Sequence, residues 1–142
     1  MSNAQQQKTG AAMLLAKQLK LMQTTDHIPG ISVGLVDDGD VFEWEVMLMI
    51  SDECKFYGVF TNGTVCISIL HPPEEDSTGY ESASERWSPV QTPATILLSV
   101  ISMLSSPNDE SAANVEAARQ WRDDPAAFKK KVRMCVRDSL EA

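Results

Sequence analysis

From Gly10 to about Gln23 apolar side chains recur at helical spacing, with Leu15, Leu19 and Met22 at i, i+4 and i+7 and Lys17 and Lys20 off that stripe. The pattern predicts an amphipathic helix ended by Thr24-Thr25-Asp26, before Ile28-Pro29-Gly30 opens an extended segment. The period then changes to two. Ile31, Val33 and Leu35 alternate as a half-buried strand should, and Phe42, Trp44, Val46, Leu48 and Ile50 resume the alternation with Glu43 and Glu45 on the opposite face. Between them Asp37-Asp38-Gly39-Asp40 supplies a turn whose Gly tolerates positive φ. The pattern predicts an antiparallel hairpin, ended by Ser51-Asp52-Glu53.

Residues 54–64 are short and irregular, with Asn62-Gly63 a strong turn signal. Val65, Ile67 and Ile69 alternate briefly. Residues 71–93 hold four of the seven prolines among many acids and serines, which predicts a loop too long for a mere connection and therefore a functional one. Helical spacing returns at Leu97, Val100, Ile101 and Leu104 and stops at Ser106-Pro107-Asn108. A further helix is expected from about Asn114 to Arg122, and another after Asp124, an N-cap with Pro125 at the first helical position. Phe128, Val132, Cys135 and Val136 form the buried stripe expected of this last helix. Helix, hairpin, irregular segment and helices make an α+β chain. A polar, frayed stretch at 1–10 leads into one core domain over 11–142, long enough to bury a real core.

A net charge of −8 argues against nucleic acid, which demands a basic surface, and against an anionic membrane surface. It is compatible with a basic protein partner or with plain solubility. The N-terminus is polar without an apolar core segment, and no apolar run reaches the length of a membrane span. Cys54, Cys66 and Cys135 form no CxxC pair and cannot all be bridged, so free thiols in a reducing compartment, cytosol or nucleus, are expected. No second Cys or His stands at metal-ligand spacing from Cys66.

Cys66 is the candidate for chemistry. In the alternating reading it points away from Val65, Ile67 and Ile69, which favours an accessible thiol over a buried small hydrophobe, although both readings stand on this pattern. A cysteine protease is disfavoured, because it needs a partnering His and only His27 and His71 exist.

Asn62-Gly63-Thr64-Val65-Cys66-Ile67-Ser68-Ile69-Leu70-His71-Pro72-Pro73, the acidic stretch with Glu74, Glu75, Asp76, Glu81 and Glu85, and Arg86-Trp87-Ser88-Pro89 together resemble the active-site segment of ubiquitin-conjugating enzymes (E2), in the subgroup with an acidic insertion after the catalytic Cys. Residues 11–23 resemble that family's first helix, Ile31 to Val46 its first hairpin, and Ile96 onward its next helix and the loop that gates the active site. The resemblance implies a ubiquitin-conjugating (UBC) fold with Cys66 accepting ubiquitin as a thioester from the activating enzyme and passing it to a substrate lysine with a RING-type or related ligase. Such a relay needs exposure and an oxyanion stabiliser more than a strong base, because the acyl group arrives activated. By the same resemblance His71 and Ser111 surround the site, Trp87, Ser88 and Pro89 contact the ligase, and Lys17 and Lys20 contact the activating enzyme. Metal and organic cofactors are not implied, nor is nucleic acid or direct membrane insertion; the location is cytoplasmic or nuclear, or the ER surface through a partner. Each residue also has a plain reading: Trp87 as a core anchor, Ser111 as a helix N-cap, His71 as a loop residue, the acids of 71–87 as a solvated loop.

One departure stands out. The family carries further strands, a proline-rich turn and a His-Pro-Asn tripeptide before the segment matched by Val59-Phe60-Thr61-Asn62-Gly63, whereas here Lys55-Phe56-Tyr57-Gly58 runs straight into Val59. Roughly thirty residues are missing, about what two strands and their connections need. Loss of the Asn removes an expected oxyanion support, and loss of the strands leaves an edge bearing Val46, Leu48 and Ile50 that invites aggregation. The sheet is thus expected to be truncated after the first hairpin and the chain poorly stable, charging weakly or not at all. The alternatives are a catalytically impaired variant that binds proteins of the ubiquitin pathway, or a truncated product without a task of its own.

Overall fold

A computed structural model of the chain describes residues 9–50, 64–71, 86–106 and 112–141. Of these, residues 9–49 and 92–97 form one compact unit, and residues 50, 64–71, 86–91, 98–106 and 112–141 form another.

In the first unit, α1 (Gly10–Gln23) starts where the Thr9 hydroxyl accepts from the Ala12 N–H at 3.2 Å, satisfying one orphan donor of the first turn. It ends at Thr24, whose N–H donates to Leu21 O and whose hydroxyl donates to Lys20 O. Ala12, Leu19 and Met22 are its buried face; Leu15 is half-buried, and Lys17 and Lys20 are exposed. Ile28-Pro29-Gly30-Ile31 then turns the chain, with Ile31 N–H donating to Ile28 O at 3.0 Å. Gly30 has φ +85°, the conformation that the third position of a type II turn requires and that Pro at the second position favours.

Strands β1 (Ile31–Leu35) and β2 (Trp44–Leu48) pair antiparallel, Ile31 opposite Leu48, Val33 opposite Val46 and Leu35 opposite Trp44. The two-residue alternation is real: Trp44, Val46 and Leu48 are half-buried, while Glu45 and Met47 are exposed. Two details differ from the sequence expectation. The second strand begins at Trp44 rather than Phe42, which is exposed in the connecting turn. Gly39 does not carry positive φ; among the described glycines only Gly30 does. The turn is made instead by aspartates, Asp37 Oδ1 accepting from Gly39 N–H and Asp40 Oδ1 from Phe42 N–H, each at 2.8 Å.

Helix α2 (Pro93–Ser105) opens with reciprocal bonds between Thr92 and Thr95: the Thr92 N–H donates to the Thr95 hydroxyl and the Thr95 N–H to the Thr92 hydroxyl. α2 carries a polar line at Thr95, Ser99 and Ser102; of its apolar residues Leu104 is buried, Leu97, Val100 and Ile101 are half-buried, and Leu98 is exposed. The apolar face of such a helix normally lies against a core. This one is incompletely covered.

In the second unit, α3 (Val115–Asp123) is N-capped by Asn114, whose Oδ1 accepts from Ala117 N–H at 3.0 Å. Replacing Asn114 with Ala is expected to cost about 1 kcal/mol, read as a lowered urea midpoint at unchanged slope. Asp124 closes α3 through its N–H and opens α4 (Pro125–Glu141) through Oδ1, which accepts from Ala127 N–H. The core here is Ile67, Leu104, Ala118, Phe128 and Val132. The edge of one ring meets the face of the other at Trp121 and Phe128, centroids 5.4 Å apart and planes at 72°. The stripe expected on α4 stops early: Phe128 and Val132 are buried, but Cys135 and Val136 are exposed. Cys135 borders an open cleft that it lines with Asn114 and Ala117 at the start of α3, and so stays exposed.

Candidate active site

Cys66 lies in the second unit, in an extended run that leads into a 3-10 turn at Ser68–Leu70. The brief alternation from Val65 to Ile69 therefore does not continue as a strand. Leu70 N–H donates to Ile67 O at 3.1 Å and His71 N–H to Ser68 O at 2.8 Å. His71 then takes φ −77° and ψ 145°, the extended geometry that a following proline, here Pro72, imposes. Ile67 is buried at 8% exposure and anchors the run, while Cys66 beside it is half-buried with a free thiol.

The acidic stretch is pinned at its base. Trp87 N–H donates to His71 O at 3.0 Å, so the chain returns to the residue from which it departed, five positions after Cys66. Beyond it, Gln91 N–H donates to Ser88 O at 3.0 Å, a turn with Pro89 at the position where a fixed φ is favourable. Trp87 is 39% exposed. Thus His71, Trp87, Ser88 and Pro89 share one backbone-bonded region a few residues after Cys66.

The other sequence candidates fall elsewhere. Lys17 and Lys20 belong to α1 in the first unit. Ser111, Cys54 and the acids at 74, 75, 76, 81 and 85 lie outside the described residues. The N-cap task offered to Ser111 belongs to Asn114. Sequence reasoning also missed the Thr92–Thr95 pair, although Thr-Pro-x-Thr ahead of an apolar run is a legible helix start. Among the described residues, no three His, Cys, Asp or Glu side chains come together to hold a metal ion, and no helix is long and apolar enough to cross a membrane.

One unit holds a helix against a short antiparallel sheet, the other a half-buried cysteine ahead of the His71–Trp87 bond. A family profile described as ubiquitin-conjugating enzyme matches residues 57–136, more than half of the chain. Ubiquitin-conjugating enzyme E2 15 of Schizosaccharomyces pombe is 47% identical over 163 aligned positions, covering 94% of this chain and 97% of that protein. Human ubiquitin-conjugating enzyme E2 G2 is 40% identical over 162 positions, covering 93% and 97%. A solved structure described as a novel ubiquitin-conjugating enzyme superposes with a TM-score of 0.65 at 20% identity, over 90% of this chain and 95% of that one, which bears on the fold alone.

The chain belongs to the ubiquitin-conjugating enzyme family, and its fold is a shortened UBC fold. Within the family it is an E2 of the type whose members bear the names E2 7, E2 15 and E2 G2.

The same alignments measure the gap. The 163 positions shared with E2 15 draw on 94% of a 142-residue chain, about 133 residues, so about thirty positions of the relative face nothing here. The comparison with human E2 G2 leaves the same shortfall. The family profile begins to match at Tyr57, beside the Gly58–Val59 junction where the sequence places the missing segment.

Proposed function

We propose that Cys66 carries ubiquitin. Its thiolate attacks the thioester carbonyl held by the activating enzyme and displaces that enzyme's thiol; a substrate lysine, presented by a ligase, then attacks the new thioester and releases the Cys66 thiol. The observation that supports this is the placement of Cys66 in an anchored run immediately before the pinned acidic insertion, with Trp87, Ser88 and Pro89 beside its base as a ligase-facing surface. The acids of 71–87 supply a negative field that favours basic acceptor peptides. The thiols are at home in a reducing compartment, the cytosol, the nucleus or the ER surface through a partner. In a charging assay an adduct that reductant removes and Cys66→Ala lacks supports the reading.

A second reading has its own support. The gap of about thirty positions and the incompletely covered α2 favour a variant that binds pathway proteins without forming the adduct. A folded sample that binds activating enzyme but gives no adduct would select it.

Lys17 and Lys20 are exposed cations on a chain of net charge −8, and we assign them to the contact with the activating enzyme. Lys17→Glu with Lys20→Glu is expected to raise the activating-enzyme concentration needed for half-maximal charging about tenfold while leaving the unfolding midpoint unchanged. Equal charging by the variant would remove α1 from that interface.

A further inference from the structure

The register of the hairpin decides which backbone groups of β2 face outward. Met49 N–H donates to Gly30 O at 2.8 Å and Val36 N–H to Glu43 O at 3.3 Å. Antiparallel pairs alternate between hydrogen-bonded and non-bonded residues, so the odd positions of β2 direct their backbone groups at β1. Trp44, Val46 and Leu48 therefore direct theirs away from it. Among the described residues no strand lies on that edge. The outer edge of β1 differs, because Val33 O accepts from Gln23 Nε2 at 3.1 Å and Ile31 N–H is bound to Ile28 O.

The side chains of β2 are arranged so that the strand matches its own inverse. Turned about a two-fold axis through Val46, the half-buried face sets Trp44 against Leu48 of the second copy and Val46 against Val46 of the second copy. On the exposed face Glu45 meets Met47 of the second copy, and Glu43 meets Met49 of the second copy. No acid faces an acid. A two-fold axis through Trp44 would instead oppose Glu43 to Glu45 of the second copy, and a parallel in-register pair would stack every glutamate on itself. Opposed like charges are unfavourable across strands. Val46 is also the midpoint of β2, so this register alone engages the whole strand, and at Val46 both backbone groups face the partner.

We propose that the outer edge of β2 is a self-association surface: two copies of this chain pair their β2 strands antiparallel about Val46, giving one sheet in the order β1, β2, β2 and β1. The thermodynamic reason is that an isolated two-stranded sheet is marginal, whereas three or more strands with an apolar face are stable. Pairing also satisfies a row of backbone groups that otherwise templates indiscriminate aggregation. The inference is independent of the role of Cys66.

Sedimentation equilibrium of the full chain across the micromolar range, under reducing conditions, is the test. Native protein is expected to be a dimer that dissociates on dilution. Met47 is exposed and faces Ser32 within its own sheet, so Met47→Glu leaves the monomer intact. It places a second carboxylate against Glu45 of the other copy in the closer, non-hydrogen-bonded kind of pair, twice per dimer. Dissociation is expected to become about tenfold easier. Adding Glu45→Lys to Met47→Glu converts both repulsions to attractions and restores the dimer. Val46→Pro removes an outward N–H without touching the β1 ladder, and a folded sample of it should be monomeric. A native chain that stays monomeric, whether or not residues 51–63 protect the β2 amides from exchange, overturns the proposal. So does a Met47→Glu chain that associates as tightly as native, or a folded Val46→Pro dimer.

Discussion

With activating enzyme, ubiquitin and ATP, the chain is expected to form its adduct slowly and to discharge it onto free lysine more slowly still, by about 10²–10³ relative to a family member that retains the His-Pro-Asn tripeptide. The two steps respond differently for a physical reason. Adduct formation also passes through a tetrahedral oxyanion, but its attacking group is a thiolate, a better nucleophile than an amine that must also lose a proton. Aminolysis passes through a tetrahedral oxyanion, where one missing hydrogen-bond donor typically accounts for the factor just given. Single-turnover chase of preformed adduct separates the steps. Cys66→Ala must abolish the adduct entirely; an adduct that survives it, on Cys54 or on the exposed Cys135, would end the assignment of Cys66. Discharge as fast as that of an intact relative would mean another donor has replaced the Asn.

Phe128→Ala is expected to bring the second unit close to its unfolding midpoint at 25 °C. Phe128 is 3% exposed and packs against the Trp121 ring. Truncating such a side chain removes both transfer free energy and packing, about 3–5 kcal/mol. Small domains have about 5–15 kcal/mol in all, and a chain with an incompletely covered α2 sits at the low end of that range. Loss of far-UV helix signal and of cooperative urea unfolding is the readout, with Phe128→Leu recovering part of both. A Phe128→Ala chain that unfolds cooperatively at an unchanged midpoint would show that this core is stabilised elsewhere.

Much of this architecture was legible in the residues. Period 3.6 on Leu19, Met22 and Leu104, and period 2 on Trp44, Val46 and Leu48, found α1, α2 and the hairpin because each element buries one side only. Asp124-Pro125 located the α3–α4 junction because capping is local chemistry. What was missed depended on neighbours. Cys135 lies on the apolar stripe of α4, but its exposure depends on the open cleft it shares with Asn114 and Ala117. The alternation through Cys66 stops short because two turn hydrogen bonds intervene ahead of Pro72. At the site, resemblance points to Cys66, His71 and the Trp87 turn, whereas the bond that joins His71 to Trp87 spans a stretch whose sequence says nothing of its closure.

That bond has a consequence for how the acidic insertion can vary. Because a backbone bond joins His71 to Trp87, lengthening the chain between them changes the closure free energy only logarithmically, about 0.6 kcal/mol for each doubling. Insertions between these two residues are therefore expected to leave the unfolding midpoint nearly unchanged. The acceptor preference proposed for the carboxylates there can thereby diverge while the thiol keeps its place.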